Sequence, residues 1–308
     1  MDIPKIRIWG ICLLIAAFTR PIQAQDYIDL VSLSYATTPS NEFKTGGQST
    51  KVRQFDANVD LPIIIDENRV LLTGFSAQTN SLLLDPSFTD KSTVGSFLLK
   101  LGVNLVHSEK LSGTYMLIPR LSSDYGKIHG KDLQLGALAL LKLTKTERFN
   151  YKIGIYVNTE KFGLFVAPLL GFYYKSQNEK FEMNVLLPAS ADMNYRLFNN
   201  IFAGMYFESL SGSYYLNNGR FDNAPQYVNK SSNDLYLYLG IPLTKSLLLK
   251  PKIGFTVGRK YRTYGENDKV SFSLSSIYVG DDRTQLNQDF SDGLVAKLEL
   301  LYRFHFKK

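Results

Sequence analysis

One cysteine, Cys12, and one tryptophan, Trp9, occur in 308 residues, and both lie near the N-terminus. With no second thiol, no disulfide within the chain can staple the fold, whichever redox compartment it enters. Tryptophan cannot furnish an aromatic belt, so any belt must come from the 19 Tyr and 20 Phe. Long apolar runs are scarce too. The run Ile8 to Phe18 falls short of the roughly 20 residues a spanning helix needs, and nothing after it reaches that length. Histidine is rare, at three copies, and the chain has no G-x-S-x-G, H-E-x-x-H, Walker loop or paired-cysteine ligand set. The charge balance is mild: 35 Lys and Arg against 28 Asp and Glu give +7, which is not the basic excess of a nucleic-acid binder.

What is present begins with an export address. Lys5 and Arg7 precede the apolar run, and Ile22, Gln23 and Ala24 end in a small residue before Gln25. This pattern is expected to be a cleaved signal peptide over residues 1–24, with 25–308 as the mature domain; a retained anchor is the weaker alternative. Cys12 follows Ile11, where a lipoprotein signal would want a small residue, so lipidation is not expected. Cleavage removes Lys5, Arg7, Arg20 and Asp2, leaving 32 basic against 27 acidic side chains, +5, and no cysteine.

The mature chain alternates apolar and polar residues, segment after segment. Phe55, Ala57, Val59 and Leu61 oppose Gln54, Asp56, Asn58 and Asp60. Phe97, Leu99, Leu101, Val103 and Leu105 share a row, with Lys100, Gly102 and Asn104 on the other. Tyr151 to Val157, Phe181 to Leu187 and Leu247 to Val257 repeat the pattern. The last segment, Val295 to Phe306, is the clearest: Ala296, Leu298, Leu300, Tyr302, Phe304 and Phe306 form one apolar row, and Lys297, Glu299, Arg303 and His305 lie opposite. Strands that want lipid on one face and water on the other suit a transmembrane barrel.

The connections carry a second signal, because such barrels have short inner turns and long outer loops. Short joins fall at Asp66 to Asn68, His107 to Lys110, Thr144 to Arg148, Ser176 to Glu179, Phe198 to Asn200 and Leu243 to Lys245. Long polar stretches separate them: Thr38 to Gln48, Asn80 to Thr93, Ser122 to Lys131, Gly212 to Ser232 and Arg259 to Asp292, with Pro188 to Ala191 as a tight outer join. The fold class is therefore all-β, an antiparallel transmembrane up-and-down β-barrel of about 14 strands, or about 12 if the segment Asp192 to Leu197 and a neighbour are not strands. Pro119, Pro168 and Pro251 lie inside these segments and are expected to mark bulges or frayed rims. A secreted soluble β-sandwich is the alternative, although it has no need of alternating loop lengths.

At this point the residues carry a resemblance. The segments Leu117-Ile118-Pro119-Arg120-Leu121-Ser122-Ser123-Asp124 and Ala167-Pro168-Leu169-Leu170-Gly171-Phe172-Tyr173-Tyr174, with Leu186-Leu187-Pro188 leading to Tyr195 and Arg196, resemble the Gram-negative outer-membrane β-barrel proteins, and among them a barrel family of uncharacterised function. The terminal assembly signal of that class is matched at Glu299, Tyr302, Phe304 and Phe306, although Leu301 stands where a glycine is usual and Lys307 and Lys308 follow. The resemblance implies an outer-membrane location, lipid and lipopolysaccharide as surroundings, and insertion by the barrel-assembly machinery. It implies no substrate.

Chemistry is thin. His129, with Ser122, Ser123 and Asp124 in the same loop, is the one histidine eligible for an outer-leaflet hydrolase, and a solvated loop residue is the simpler reading. Asp281, Asp282, Asp289 and Asp292 lack calcium-loop spacing, so no metal or cofactor is expected. Arg259, Lys260 and Arg262 form a basic outer cluster suited to lipopolysaccharide phosphates or to a solvated rim. The expected lumen lining is Lys100, Asn104, Arg120, Lys142, Lys152, Glu182, Asn184, Glu208, Lys250, Lys252, Lys297, Glu299 and Arg303. Mixed signs fit a salt-bridged interior first and a selective aqueous path second. The leading expectation is a porin-like passive channel for small or hydrophobic solutes, without a plug domain or energy-coupling partner and without catalysis. The second is a structural or adhesive barrel acting through its outer loops.

Overall fold

Period-two alternation becomes fourteen strands that close on themselves in the computed structural model, which describes residues 27–305 apart from 199, 218, 222 and 223. The expected signal peptide, residues 1–24, and Phe306 of the expected assembly signal lie outside the described residues. From β1 (Tyr27–Thr37) the chain enters an outer loop holding the small hairpin β2 (Asn41–Glu42) and β3 (Ser49–Thr50). The wall continues through β4 (Arg53–Ile64), β5 (Arg69–Leu82), β6 (Ser92–Val106), β7 (Leu111–Ser123), β8 (Leu133–Thr146), β9 (Phe149–Glu160) and β10 (Gly163–Lys175). The short pair β11 (Phe181–Leu187) and β12 (Ser190–Arg196) follows, then the long strands β13 (Phe202–Leu216), β14 (Gln226–Pro242) and β15 (Leu247–Gly265). The last outer loop carries the hairpin β16 (Phe272–Leu274) and β17 (Ile277–Val279) before β18 (Gly293–His305) returns to the wall. β18 pairs antiparallel with both β15 and β1, and β11 with both β10 and β12, so the barrel has no break in its order.

The apolar rows face outward. Leu33, Phe55, Leu101, Ile153, Leu237, Ile253, Leu298 and Tyr302 are all exposed, a distribution that water would penalise and hydrocarbon favours. The six short joins lie together at one end, the end expected to be inner; Lys161–Phe162, between β9 and β10, is a tight join at the opposite end that the alternation does not single out. The segment Ser190–Arg196 is a full strand, which fixes the larger of the two strand counts.

The prolines correct one expectation. Pro119 and Pro251 sit in unbulged register, opposite Leu135 and Leu298, on the ladder side that needs no proline N–H. On the other side the β6–β7 ladder lacks the rungs between Leu98↔Arg120 and Leu101↔Leu117, and β14–β15 those between Tyr238↔Lys252 and Ile241↔Leu249. A missing donor costs a rung without adding a residue, so register survives. The bulges lie elsewhere, at Asp29/Val31, Thr144/Thr146 and Ser231/Asn233.

Two outer loops also prove to be strand. β13 runs on to Leu216, β14 begins at Gln226 and β15 reaches Gly265, inside stretches expected to be Gly212 to Ser232 and Arg259 to Asp292 loops. Past Glu208, β13 has lost its β12 neighbour, whose last rung is Ser190↔Glu208. The outer part of β13 leans across the barrel instead and reaches β7, far round the wall, at Tyr215↔Ser123.

Candidate functional site

The inward rows bring the expected lumen residues together on two unlike walls. On the wall from β12 to β1, cations and acids pair across strands: Lys250 with Asp192 at 3.7 Å, Lys252 with Glu299 at 2.8 Å, Lys297 with Glu208 at 2.7 Å and Arg303 with Asp29 at 2.7 Å. Tyrosine rings lie between them. The Lys252 ammonium sits 4.1 Å from the Tyr206 ring centroid, Lys250 is 5.0 Å from Tyr238, and the Arg303 guanidinium stacks 3.4 Å from Tyr27. Each charge is thus met by an opposite charge and a π-face, which is how a low-dielectric interior tolerates ions. Glu182 faces inward on β11 beside these groups, opposite Lys175.

The facing wall, β5 to β10, is different. Lys100 bonds Asn58 and Asp60, and Asn104 bonds Thr114 at 2.8 Å. Lys142 and Lys152 face each other across β8 and β9, and Lys152 donates to Asn184 at 2.6 Å. Between and above them the inward rows carry Leu98, Met116, Ile118, Leu138 and Leu140, all half-buried. Strict alternation does not lead one to expect these apolar lumen residues. Their signal is the stretch Ala137-Leu138-Ala139-Leu140-Leu141, apolar on both rows, which marks a strand with no water-facing side.

The outer half of the lumen is filled. Ser213 on the leaning part of β13 is the anchor: its carbonyl accepts from Ser122 at 2.6 Å and Gln134 at 3.0 Å, and its N–H donates to Glu160 at 2.7 Å. Arg120 completes this junction beside Glu160 at 3.5 Å. Behind it Tyr214, Tyr261, Leu82, Leu84, Val94 and Val228 pack with Phe43 and Phe290 from the outer loops. Lys230 is buried there, held by Gln54 at 2.7 Å and Asn80 at 2.9 Å.

The lean leaves the outer wall above β11 and β12 without a barrel strand. The β16–β17 hairpin occupies that gap. It pairs in parallel with β10 at Phe165↔Ser273 and Val166↔Leu274 and turns Phe272, Leu274, Ile277 and Val279 outward, exposed. On its other side the contact with β14 is a side-chain bond, Asn229 Nδ2 to Tyr278 OH at 3.0 Å, and a cleft of about 200 Å³ lined by Ser209, Ser231, Asn233 and Lys260 follows the seam.

The less favoured groupings that the sequence raised are not brought together among the described residues. Ser122 is buried on Ser213, His129 meets Asn217 at 2.8 Å, and Asp124 accepts from Asn217, so no Ser, His and Asp converge. Asp281 holds Arg283, Asp289 holds Arg262, and Asp292 accepts from the Gly258 and Arg259 amides, so these three loop aspartates point to different partners. Of the basic outer cluster, Arg259 turns inward onto Asn41 and Arg262 is paired, leaving Lys260 exposed. In the assembly signal Glu299 faces the lumen, while Tyr302 and Phe304 face outward.

Solved structures similar to this chain include the following three. The translocator domain of autotransporter NalP from Neisseria meningitidis has 9% identity and a TM-score of 0.36, covering 90% of this chain and 89% of its own. The TodX monoaromatic hydrocarbon channel, as a deltaS2 mutant, has 8% identity and a TM-score of 0.39, covering 91% and 90%. OprB of Pseudomonas putida has 9% identity and a TM-score of 0.32, covering 91% and 94%. Likenesses this distant say nothing about cargo. No curated protein matches the chain. The model of one family, described as a domain of unknown function (DUF6268), matches residues 22–290, and the chain belongs to that family.

Proposed function

We propose that this protein is an outer-membrane barrel of a Gram-negative envelope that passes a hydrophobic or amphiphilic molecule between its inner-half lumen and the membrane, by a lateral route at the seam beside β16 and β17. One observation carries the reading: the lean of β13 onto β7 fills the outer lumen and at the same time opens the wall above β11 and β12, where only the hairpin stands. A straight aqueous path has to cross the packed Tyr214 and Tyr261 layer; a lateral one has to displace a hairpin with no backbone ladder to β14 among the described residues. The half-buried leucines facing the inner lumen suit an apolar passenger. As part of the same reading, the protein has no catalytic role, the barrel-assembly machinery inserts it through its last strand, and lipopolysaccharide surrounds its outer end. An adhesive role through the outer loops is the weaker reading, because Phe43, Asn287 and Phe290 of those loops are packed into the barrel.

The test uses vesicles with a lipopolysaccharide outer leaflet and the mature chain, which has no cysteine of its own. Asn229→Cys and Tyr278→Cys are bridged by a short reducible bis-thiol reagent. Bridging is expected to stop uptake of a pyrene-labelled alkyl probe, and reduction to restore it, while the unmodified barrel gives no steady conductance in a planar bilayer. Steady conductance, or uptake indifferent to the bridge, overturns the lateral route.

A further inference from the structure

Most inward cations of this barrel are matched, by carboxylates or, at Lys230 and Arg259, by neutral acceptors. Lys100, Arg120, Lys250, Lys252, Lys297 and Arg303 each have a carboxylate within ion-pair distance. Lys142 and Lys152 have none among the described residues. They are direct cross-strand partners, Lys142↔Lys152, so two like charges stand opposite each other on the same face of the sheet. That arrangement is destabilising by itself. Lys152 has the Asn184 oxygen at 2.6 Å, which is a neutral acceptor, and the Lys142 ammonium has no hydrogen bond or ion pair among the described residues.

The surroundings do not relieve the pair. Asn150, on the same inward row as Lys152 and 3% exposed, has an Oδ1 without a hydrogen-bond partner. The buried Oγ of Ser112, which is the register partner of Lys142 on β7, is likewise unpartnered. Gly154, opposite Leu140, and Gly171, opposite Lys152, add no side chain to the inward face here, and the Ala139 and Val185 carbonyls pass close beside them. Toward the outer side the same inward rows become apolar at Leu140, Leu138 and Met116.

We propose that Lys142 and Lys152 form a binding site for the anionic head of an amphiphile, a carboxylate or a phosphate, whose alkyl tail lies outward along Met116, Leu138 and Leu140. An oxyanion between the ammonium groups converts their repulsion into two charge-assisted hydrogen bonds. A monoprotonated phosphate head also has a hydroxyl to donate to the Asn150 oxygen, which a carboxylate lacks. The inference deepens the conduit reading: release of the bound amphiphile toward the seam rests on that reading, whereas the site itself is read from the lumen alone.

The test is competition with dansyl-undecanoate on the refolded mature barrel in an uncharged detergent, where binding is measured without transport. Dodecanoate and dodecyl phosphate compete; whichever is stronger tells a fatty-acid head from a phospholipid-type head. The double variant Lys142→Gln, Lys152→Gln weakens both by about tenfold or more, the size expected for lost hydrogen bonds to charged groups. Lys142→Arg, Lys152→Arg keeps the binding, which separates loss of charge from loss of fold, and heat-modifiable mobility confirms closure of each variant. Dodecanol competing as well as dodecanoate overturns the head-group contact. Inorganic phosphate competing as well as dodecyl phosphate overturns the tail. Saturable, lysine-dependent binding supports the site even if vesicle uptake fails, in which case only the lateral route falls.

Discussion

Asp289 ties the longest outer loop to the barrel. Arg262 on β15 grips its carboxylate through two nitrogens, at 2.9 and 2.6 Å, Gln285 donates at 3.1 Å and Lys44 lies at 3.5 Å. Burial pushes this carboxyl up, but the Arg262 hydrogen bonds and charge outweigh it and hold the pKa at about 2, below the ordinary 3.8. A depressed carboxylate contributes stability that is complete above its unfolded pKa and drains away as pH falls through the folded one. The loop's anchorage is therefore expected to persist at pH 5 and to weaken between pH 3.8 and about 2. Amide exchange at Gln288 and Ser291, whose N–H groups bond Asp85 and the Glu42 carbonyl, reads this directly. Protection lost well above that window would mean another group sets the anchorage, and Asp289→Asn is expected to remove the acid transition along with part of the protection.

At the scale of elements, the decisive piece is the outer part of β13. The alternation in the sequence predicts the wall well wherever lipid lies outside and water inside, as at Phe55 to Leu61 or Val295 to Phe304, because each row then meets one solvent. It fails at Asn229, Ser231 and Asn233 of β14 for a physical reason: their outward row faces the hairpin cleft and not lipid, so it is polar, and the stretch reads as loop. The inward lysines and glutamates are legible from the same rule, but their pairing is not, since Lys297 reaches Glu208 across two intervening strands whose register no local pattern encodes. What holds β13 in place is equally non-local. Glu160 on β9 accepts from the Ser213 N–H and hydroxyl and from Asn158, and balances the buried Arg120. Glu160→Ala removes all of these and leaves a buried cation alone, a change of about 3–5 kcal/mol. The expected result is a barrel that still shows heat-modifiable mobility but now conducts in planar bilayers. Continued silence would assign the closure to the Tyr214 and Tyr261 packing and not to the anchor.

The whole molecule is an inverted object, with charges and tyrosines inside and leucines outside, and its stability depends on which solvent meets which face. Leu237 sits on the outward row of β14, 59% exposed and paired in register with Ile253, with Leu235 and Leu239 on either side of it. Such a band has no favourable contact in water, whereas in hydrocarbon it is solvated, and apart from the rungs missing at Pro251 the backbone it covers is bonded within the closed ladder. A guanidinium placed there has to be carried into the apolar layer. Leu237→Arg is therefore expected to cost about 2–4 kcal/mol in vesicles if the residue lies near the midplane. Ser76→Arg, on the inward row of β5 opposite Asn58, faces the lumen and is expected to cost far less. Reversible urea unfolding from thin-bilayer vesicles measures both. Equal penalties would contradict the inside-outside assignment of the rows, and with it the placement of Lys142 and Lys152 in the lumen. A large penalty confined to Leu237 fixes the barrel's orientation toward lipid independently of any transport assay.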